Sequence, residues 1–160
     1  MTASRAWLPP LLLMADHGNS WNDYIAAVYG DFQRDFVQTQ PQYDGRRVRC
    51  RRDPLYDGKE AGFWHCVQEG ADDAQRTPDL RRCERIGWIR AIIENNTAAE
   101  IDAWSNDNRG GLRHYLWYAE QYLIVLEDRK RTCQLITAFC TDRQHTIRKL
   151  QRERDESPNN

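Results

Sequence analysis

The chain has 160 residues, of which 40% are apolar and 29% charged, and its formal net charge at pH 7 is -1. This length suits a single domain over residues 1–160, and the apolar and aromatic content excludes a disordered chain. The near-zero net charge excludes a surface that coats nucleic acid throughout, so any recognition of phosphate must be local.

Arginine dominates the basic residues, since all but three of the 23 Lys and Arg residues are Arg. A guanidinium group donates pairs of hydrogen bonds that fit phosphate, and it stacks on nucleobases, which favours contact with nucleic acid. A high genomic GC content produces the same bias without any function, and this alternative stays open.

Cysteine spacing and an N-terminal apolar stretch bear on the compartment. None of the five cysteines belongs to a Cys-x-x-Cys pair, so zinc-knuckle and thioredoxin motifs are missing and we expect reduced thiols in the cytoplasm. The stretch 6–15 contains Pro9 and Pro10 and is too short to cross a bilayer. We predict a packed N-terminal arm over residues 1–18 and no membrane partner, with a signal peptide as the alternative.

The first half of the chain predicts one long helix and two strands. Apolar side chains recur at helical spacing over 21–38, which indicates an amphipathic helix that ends before Pro41. Alternating arginines over 46–52 predict a strand, and the apolar run 62–67 predicts a second. The acidic stretch 69–73 predicts a loop.

A middle helix is predicted next. Thr77 is an N-cap candidate, and Pro78 suits the first helical position. The apolar stripe that follows predicts a helix over 79–94.

The last third predicts an antiparallel meander and a terminal helix. Four segments separated by turn signals predict strands, near 101–104, 114–118, 121–127 and 133–139. Residues 141–154 predict a C-terminal helix, and 156–160 a frayed tail. We therefore predict an α+β fold in which an antiparallel sheet of about four strands packs against the N-terminal and middle helices.

His65 is the first candidate for chemistry, because an imidazole can give or take a proton near neutral pH. On the predicted strand, alternation places it on the same face as Phe63. A structural histidine bonded to the backbone is the alternative, so His65 gains weight only from its neighbours in the fold.

Arginines on the middle helix form a second candidate. Arg81 and Arg85 are four residues apart and share a helix face, and Arg82 lies beside them, so the three can form an anion site that Glu84 partly offsets. A solvated charged face is the alternative.

The end of the last strand offers hydroxyls and a second imidazole. Thr137 and Thr141 bracket this end, where hydroxyls can reach a phosphate, and His145 lies one helical turn further on. Thr141 is also a sound helix cap. The histidines have no metal-ligand spacing, and the sequence has neither a glycine-rich phosphate loop nor a serine nucleophile motif, so we predict no metal and no cofactor.

Three stretches together resemble an uncharacterised prokaryotic family: 58–65, 81–89, and the ending with Thr137-Ala138, His145 and Lys149-Leu150. The layout, from about residue 19 to 155, is similar to the barnase, EndoU, colicin D and RelE-like class of nucleases. In that class a helical N-terminal portion precedes an antiparallel sheet of about four strands.

The resemblance implies a metal-independent ribonuclease with a toxin role, which cleaves RNA by attack of a ribose 2′-hydroxyl on the adjacent phosphate. It implies that the catalytic residues are His65, Arg85, Thr137 and His145. The substrate-binding residues would be Arg81, Arg82, Thr141 and Tyr115, with Tyr115 or Trp117 as a stacking platform for a base and the sheet core as their alternative role. An antitoxin with an acidic surface would be the protein partner.

Two other functions use the same residues. The chain can be a non-catalytic protein-interaction module in a phage-defence or toxin-antitoxin system. It can also be an RNA-binding module that uses the strand 46–52, although arginines on a strand also protect a sheet edge from aggregation. Convergence of His65 with Arg81, Arg85 and Thr137 in one cleft would favour the enzyme.

Overall fold

The computed structural model describes residues 6–70 and 76–157. The first five residues of the predicted arm, most of the predicted acidic loop and the last three residues of the predicted tail lie outside these ranges. Within them the chain forms five α-helices and eight strands, so the predicted α+β class is confirmed.

The N-terminal arm lies against the helices. The indole N–H of Trp88 donates a hydrogen bond to the carbonyl oxygen of Pro9 (2.9 Å), and the backbone N–H of Leu12 donates to the carbonyl oxygen of Glu84 (2.9 Å). A 3-10 turn, Met14–His17, then leads into the first helix.

Helix α1 spans Trp21–Phe32, and Ser20 caps its start by accepting a hydrogen bond from the N–H of Asp23 (3.4 Å). The chain continues as a π-helical segment, Gln33–Gln38, and leaves the helical conformation before Pro41, as predicted. Four side chains at helical spacing form the buried stripe: Tyr24, Ile25, Val28 and Phe32.

Strands β1, Gln42–Tyr43, and β2, Arg46–Cys50, follow, and then helix α2, Ala61–Val67. The predicted strand over 62–67 is therefore wrong. Its apolar run fits either periodicity, and the helical one prevails because Phe63, Cys66 and Val67 are buried at spacings of three and four. The helix starts directly against the chain that leaves β2, where the N–H of Gly62 donates to the carbonyl oxygen of Arg51 (2.7 Å). A Cβ at position 62 would lie 2.9 Å from the Arg51 nitrogen, so this approach requires glycine.

The predicted middle helix is two helices. Residues Gln68–Glu69 (β3) pair with Thr77–Pro78 (β4), so Thr77 is in a strand and does not cap a helix. Helix α3, Leu80–Glu84, is capped by Asp79, whose carboxylate accepts from the N–H of Arg81 (3.0 Å). The chain turns at Arg85, and helix α4 runs over Ile86–Glu94.

The predicted antiparallel meander is present. Its strands are β5, Ile101–Asn108; β6, Gly111–Tyr118; β7, Tyr122–Asp128; and β8, Cys133–Cys140. Ala119 and Glu120 form the turn between β6 and β7 with positive φ angles of 50° and 55°. The estimate of about four antiparallel strands is imprecise, because the sheet has six strands in the order β1-β2-β8-β7-β6-β5 and β2 is parallel to β8. A parallel pair leaves no turn signal in the sequence.

The two faces of the sheet carry different hydrophobic clusters. Helices α1, α2 and α4 cover the larger cluster. Helix α5, Gln144–Glu156, covers the smaller one by packing Leu150 with Trp104 and Trp117. None of the helices formed by residues 6–70 and 76–157 combines the length and hydrophobicity that a membrane span requires.

The outer side of β8 is divided between a strand and two helices. Strand β2 pairs with β8 only through Cys133–Leu135. Further along, the Thr137 hydroxyl donates to the carbonyl oxygen of His65 in α2 (3.0 Å), and the Arg82 guanidinium of α3 lies 5.6 Å from the centre of the Phe139 ring. The place where β2 stops is the edge of a cleft.

Candidate functional site

This cleft, of about 510 Å³, is lined mainly by arginines, and we name it the arginine cleft. Its charged and polar side chains come from the residue after β2, from α2, from the segment before β4, from α3 and from the meander. They are Arg51, His65, Arg76, Arg82, Arg113, Glu127, Arg129, Gln134 and Thr137. Five arginines and one glutamate therefore line the cleft, in a chain whose net charge is -1.

Glu127 anchors the meander side of the cleft. It lies directly opposite Arg113 on the neighbouring strand, and the Arg113 Nε donates to its Oε2 (2.8 Å). Arg129 forms an ion pair with Oε1. Burial alone raises the pKa of this carboxyl, of which only 4% is exposed, but the two guanidinium groups outweigh burial and hold the pKa of Glu127 below its usual value. Glu127 is therefore an ionised carboxylate at neutral pH.

Backbone carbonyls orient the arginines on the opposite wall. Arg82 donates through Nη1 to the carbonyl oxygens of His65 (3.3 Å) and Gln68, and its Nε lies 3.4 Å from the Asp79 carboxylate. Arg76 donates through Nη2 to the same Gln68 carbonyl (2.6 Å). A carbonyl partner fixes a guanidinium without cancelling its charge. The ion pair with Asp79, however, offsets part of the charge of Arg82.

His65 lies where the arginine cleft meets a second cavity. Its carbonyl oxygen accepts the bonds from Thr137 and Arg82, which fix the turn of α2 that carries the imidazole. The second cavity, of about 370 Å³, is also lined by His65. We name it the aromatic pocket, and its non-shared walls include Pro54, Tyr56, Ala61 and Trp64.

Three of the predicted site residues meet in the arginine cleft: His65, Arg82 and Thr137. Arg81 lies in an adjoining cavity of about 800 Å³ that Arg82 also lines. There its guanidinium is bound to the Asp142 carboxylate (2.5 Å), so its charge is paired within the chain.

Arg85 and His145 line neither the arginine cleft nor the cavity around Arg81. Arg85 is the C-cap residue of α3 and lies one helical turn after Arg81. Its side chain does not line the cavity that Arg81 lines, so the two arginines do not share a cavity. The Arg85 guanidinium lies 5.0 Å from the ring centre of Trp88 and donates to the Arg81 carbonyl oxygen (3.1 Å). His145 is exposed in the first turn of α5, where one ring nitrogen lies 3.5 Å from the Thr146 hydroxyl.

Thr141 lines the cavity of about 800 Å³ together with Arg81 and Arg82. Its hydroxyl and the ring of Tyr115 nevertheless have partners within the chain. The Thr141 hydroxyl accepts from the indole N–H of Trp117 (2.9 Å) and donates to the Glu120 carbonyl oxygen (2.9 Å), and only 4% of the residue is exposed. Arg143 occupies the N-cap position of α5, so the helix-cap alternative for Thr141 is also wrong. The ring of Tyr115 stacks on Trp104 with centres 5.4 Å apart and planes at 9°, and it does not line the arginine cleft.

The sequence prediction included Arg51 only in the strand 46–52 of the RNA-binding alternative, and it missed Arg76, Arg113, Arg129 and Glu127. One signal was available: Arg113 and Glu127 are equally far in sequence from the turn at Glu120, and opposite charges paired across a hairpin are favourable. Nothing local in the sequence places Arg51 or Arg76 beside that hairpin.

A second polar cluster lies among the strands. The Ser105 hydroxyl is 2.7 Å from Nδ1 of His114, and Nε2 of His114 is 2.6 Å from Oδ1 of Asp128. Such a chain of hydroxyl, imidazole and carboxylate resembles an activated nucleophile. His114 is only 8% exposed, however, and the cavity that Ser105 lines does not include it. The arrangement ties β5, β6 and β7 together.

The same cluster brings three potential metal ligands together. The sequence prediction of no metal did not foresee this proximity, because the three residues come from separate strands. The donor atoms of His114, Asp128 and Cys133 lie within 4.8 Å of one another. The Arg46 guanidinium already occupies Oδ1 of Asp128 (2.7 Å), and burial raises the pKa of the Cys133 thiol to about 11. A cation would have to displace the guanidinium and deprotonate the thiol, so the donor set fits a metal poorly.

Comparison of the chain with protein-family models, with curated proteins and with solved structures gives no match. The resemblance to the nuclease class therefore stays a prediction, and a functional conclusion has to rest on the geometry of the arginine cleft.

Proposed function

We propose that the chain binds RNA through phosphates in the arginine cleft and cleaves it by attack of a ribose 2′-hydroxyl on the adjacent phosphate. The observation that carries this proposal is the convergence of five guanidinium groups, one ionised carboxylate and one imidazole in a single cleft. Guanidinium groups bind phosphate oxygens in pairs, and their charge stabilises the additional negative charge of the pentacoordinate transition state.

Glu127 and His65 supply the two proton transfers. Glu127 is ionised, so it can take the proton of the 2′-hydroxyl while the new O2′–P bond forms. His65 in its protonated form gives a proton to the 5′-oxygen as the P–O5′ bond breaks. The products are a 2′,3′-cyclic phosphate and a free 5′-hydroxyl. Glu127 is thus the second proton-transfer residue in place of His145, which the sequence prediction named as catalytic.

Thr137 acts as a positioning residue in this mechanism. Its hydroxyl proton is donated to the His65 carbonyl oxygen, which holds α2 against β8. Arg82 bonds to the same carbonyl and also lines the cleft, so it both positions His65 and contributes positive charge.

A second candidate function is RNA binding without cleavage. Among the described residues, His65 is the only histidine that lines the cleft, and two guanidinium groups weaken Glu127 as a base. The toxin role and an acidic antitoxin stay predictions, and the arginine cleft is the surface that such a partner would cover.

Cleavage of a labelled single-stranded oligoribonucleotide by the wild type, His65→Ala and His145→Ala tests the proposal. His65→Ala should lose cleavage with little change in melting temperature, because alanine keeps the carbonyl oxygen that accepts the hydrogen bonds from Thr137 and Arg82. His145→Ala is the matched control and should retain cleavage, because His145 lines neither the arginine cleft nor the aromatic pocket.

Wild-type cleavage by His65→Ala would refute the proposed mechanism. Loss of cleavage by His145→Ala alone would restore the mechanism predicted from the sequence. Salt-dependent RNA binding by a wild type that never cleaves would select the second candidate.

A further inference from the structure

We propose that the aromatic pocket is a nucleobase subsite, so that the substrate is single-stranded RNA whose unstacked base lies beside the phosphate in the arginine cleft. This inference rests on the proposed RNA binding. It assigns a role to Tyr56 and Trp64, which the cleavage mechanism does not use.

The pocket offers aromatic surface to a ligand. Tyr56 is 69% exposed. Because a large apolar ring is costly to hydrate, its contact with a ligand would be favourable. The ring of the partly buried Trp64 meets it edge to face, with centres 5.6 Å apart and planes at 81°. Two rings at a right angle form a corner in which a flat base can stack on one ring and contact the edge of the other.

The aromatic corner is held in place before a ligand arrives. The backbone N–H of Tyr56 donates to the Lys59 carbonyl oxygen (2.9 Å), and the N–H of Lys59 donates back to the Tyr56 carbonyl (3.0 Å). That same carbonyl accepts from the indole N–H of Trp64 (2.9 Å). Asp57 and Gly58 complete the tight turn with positive φ angles of 52° and 70°. A base that binds here therefore orders little of the protein, which favours affinity.

The pocket is continuous with the arginine cleft. Arg51, His65 and Arg76 line both cavities, so a phosphate between these three residues has its own nucleoside within reach of the aromatic corner. A base in a duplex has its faces covered by its neighbours, whereas a base in a single strand can be splayed out and stacked on an aromatic ring. The combination of cavities therefore favours single strands.

Binding measurements with three probes test the subsite. The probes are a single-stranded 2′-O-methyl oligouridylate, which has no 2′-hydroxyl and cannot be cleaved by the proposed route, a 2′-O-methyl duplex of equal length, and inorganic pyrophosphate. Tyr56→Ala should weaken single-strand binding roughly 5- to 150-fold, the range for loss of one base-aromatic stack. Binding of duplex and pyrophosphate should stay at the wild-type level.

Two further variants complete the design. Leu55→Ala is the matched control, because Leu55 is 60% exposed on the same turn but does not line the pocket, and it should bind all three probes like the wild type. Tyr56→Phe keeps the ring and should retain single-strand binding, which separates a stacking role from a folding defect.

The outcomes distinguish the subsite from the cleft. Unchanged single-strand binding by Tyr56→Ala, or an equal loss for the duplex, would overturn the subsite while the arginine cleft stands. An equal loss in Leu55→Ala would instead indicate a general apolar contact, as with a protein partner, and would also overturn the subsite. Failure of the wild type to bind any of the three probes would refute the proposed function itself.

Discussion

Replacement of Thr141 by Val should damage the fold and leave the site intact. The substitution keeps the shape of the side chain and removes a hydroxyl that joins Trp117 Nε1 to the Glu120 carbonyl. Trp117 is fully buried, so its N–H would lose its partner without gaining water. One lost hydrogen bond costs about 1 kcal/mol and an unsatisfied buried donor about 1–3 kcal/mol, which together give about 2–4 kcal/mol. For a chain of this size, that lowers the melting temperature by about 4–16 °C.

The assay compares thermal unfolding with RNA binding by fluorescence anisotropy at a temperature where the variant is folded. Thr146→Val is the matched control, because the Thr146 hydroxyl has only a 3.5 Å contact with His145, and the change should stay within about 0.5 kcal/mol. A Thr141→Val protein with wild-type melting temperature and lost RNA binding would show that Thr141 binds substrate, as predicted from the sequence, and would refute the structural argument.

Two further predictions concern charge. Arg129→Gln should lower affinity for single-stranded RNA about tenfold and reduce the slope of log affinity against log salt by roughly 0.7. Arg131 is exposed on the same turn but does not line the cleft, so Arg131→Gln should change neither the affinity nor the slope. Equal effects of the two substitutions would disprove a localised cleft. Burial raises the pKa of Asp128, but the hydrogen bonds from Arg46 and His114 outweigh burial and lower it overall. Its contribution to stability is therefore present above the ordinary pKa of Asp and is lost as the pH falls through the lower folded value. Asp128→Asn should be less stable at pH 6 and lose less stability than wild type between pH 5 and pH 3 in urea titrations, and parallel curves would contradict this.

Long periodic segments were predictable from the sequence. The apolar stripe of α1 repeats over several turns, and the meander combines alternating strands with turn signals, the first of which contains glycines, so local signals agree with the fold. The six-residue run at α2 is too short to distinguish helix from strand by periodicity. Its conformation depends on the close approach of Gly62 to Arg51, which is a tertiary contact.

The site was less predictable because it forms between distant parts of the chain. His65, Arg82 and Thr137 were identified by residue type, and they do meet. The arginines of the meander join His65 and Arg82 because α2 and β2 both lie along β8, and neither the α2 contact nor the parallel β2–β8 pairing has a local signature in the sequence. Arg85 was misplaced because its guanidinium lies against the ring of Trp88 and the Arg81 carbonyl oxygen, and the sequence alone does not show these contacts.

The proposed cleavage through the ribose 2′-hydroxyl can be tested with a single-stranded oligodeoxynucleotide that contains one ribonucleotide. An all-deoxy strand of the same sequence is the control, and EDTA is present in excess. The mechanism predicts one cut, on the 3′ side of the ribonucleotide, that leaves a 2′,3′-cyclic phosphate, while the all-deoxy strand stays intact. Cleavage of both strands at similar rates, or binding of the chimeric strand without any cut, would contradict it.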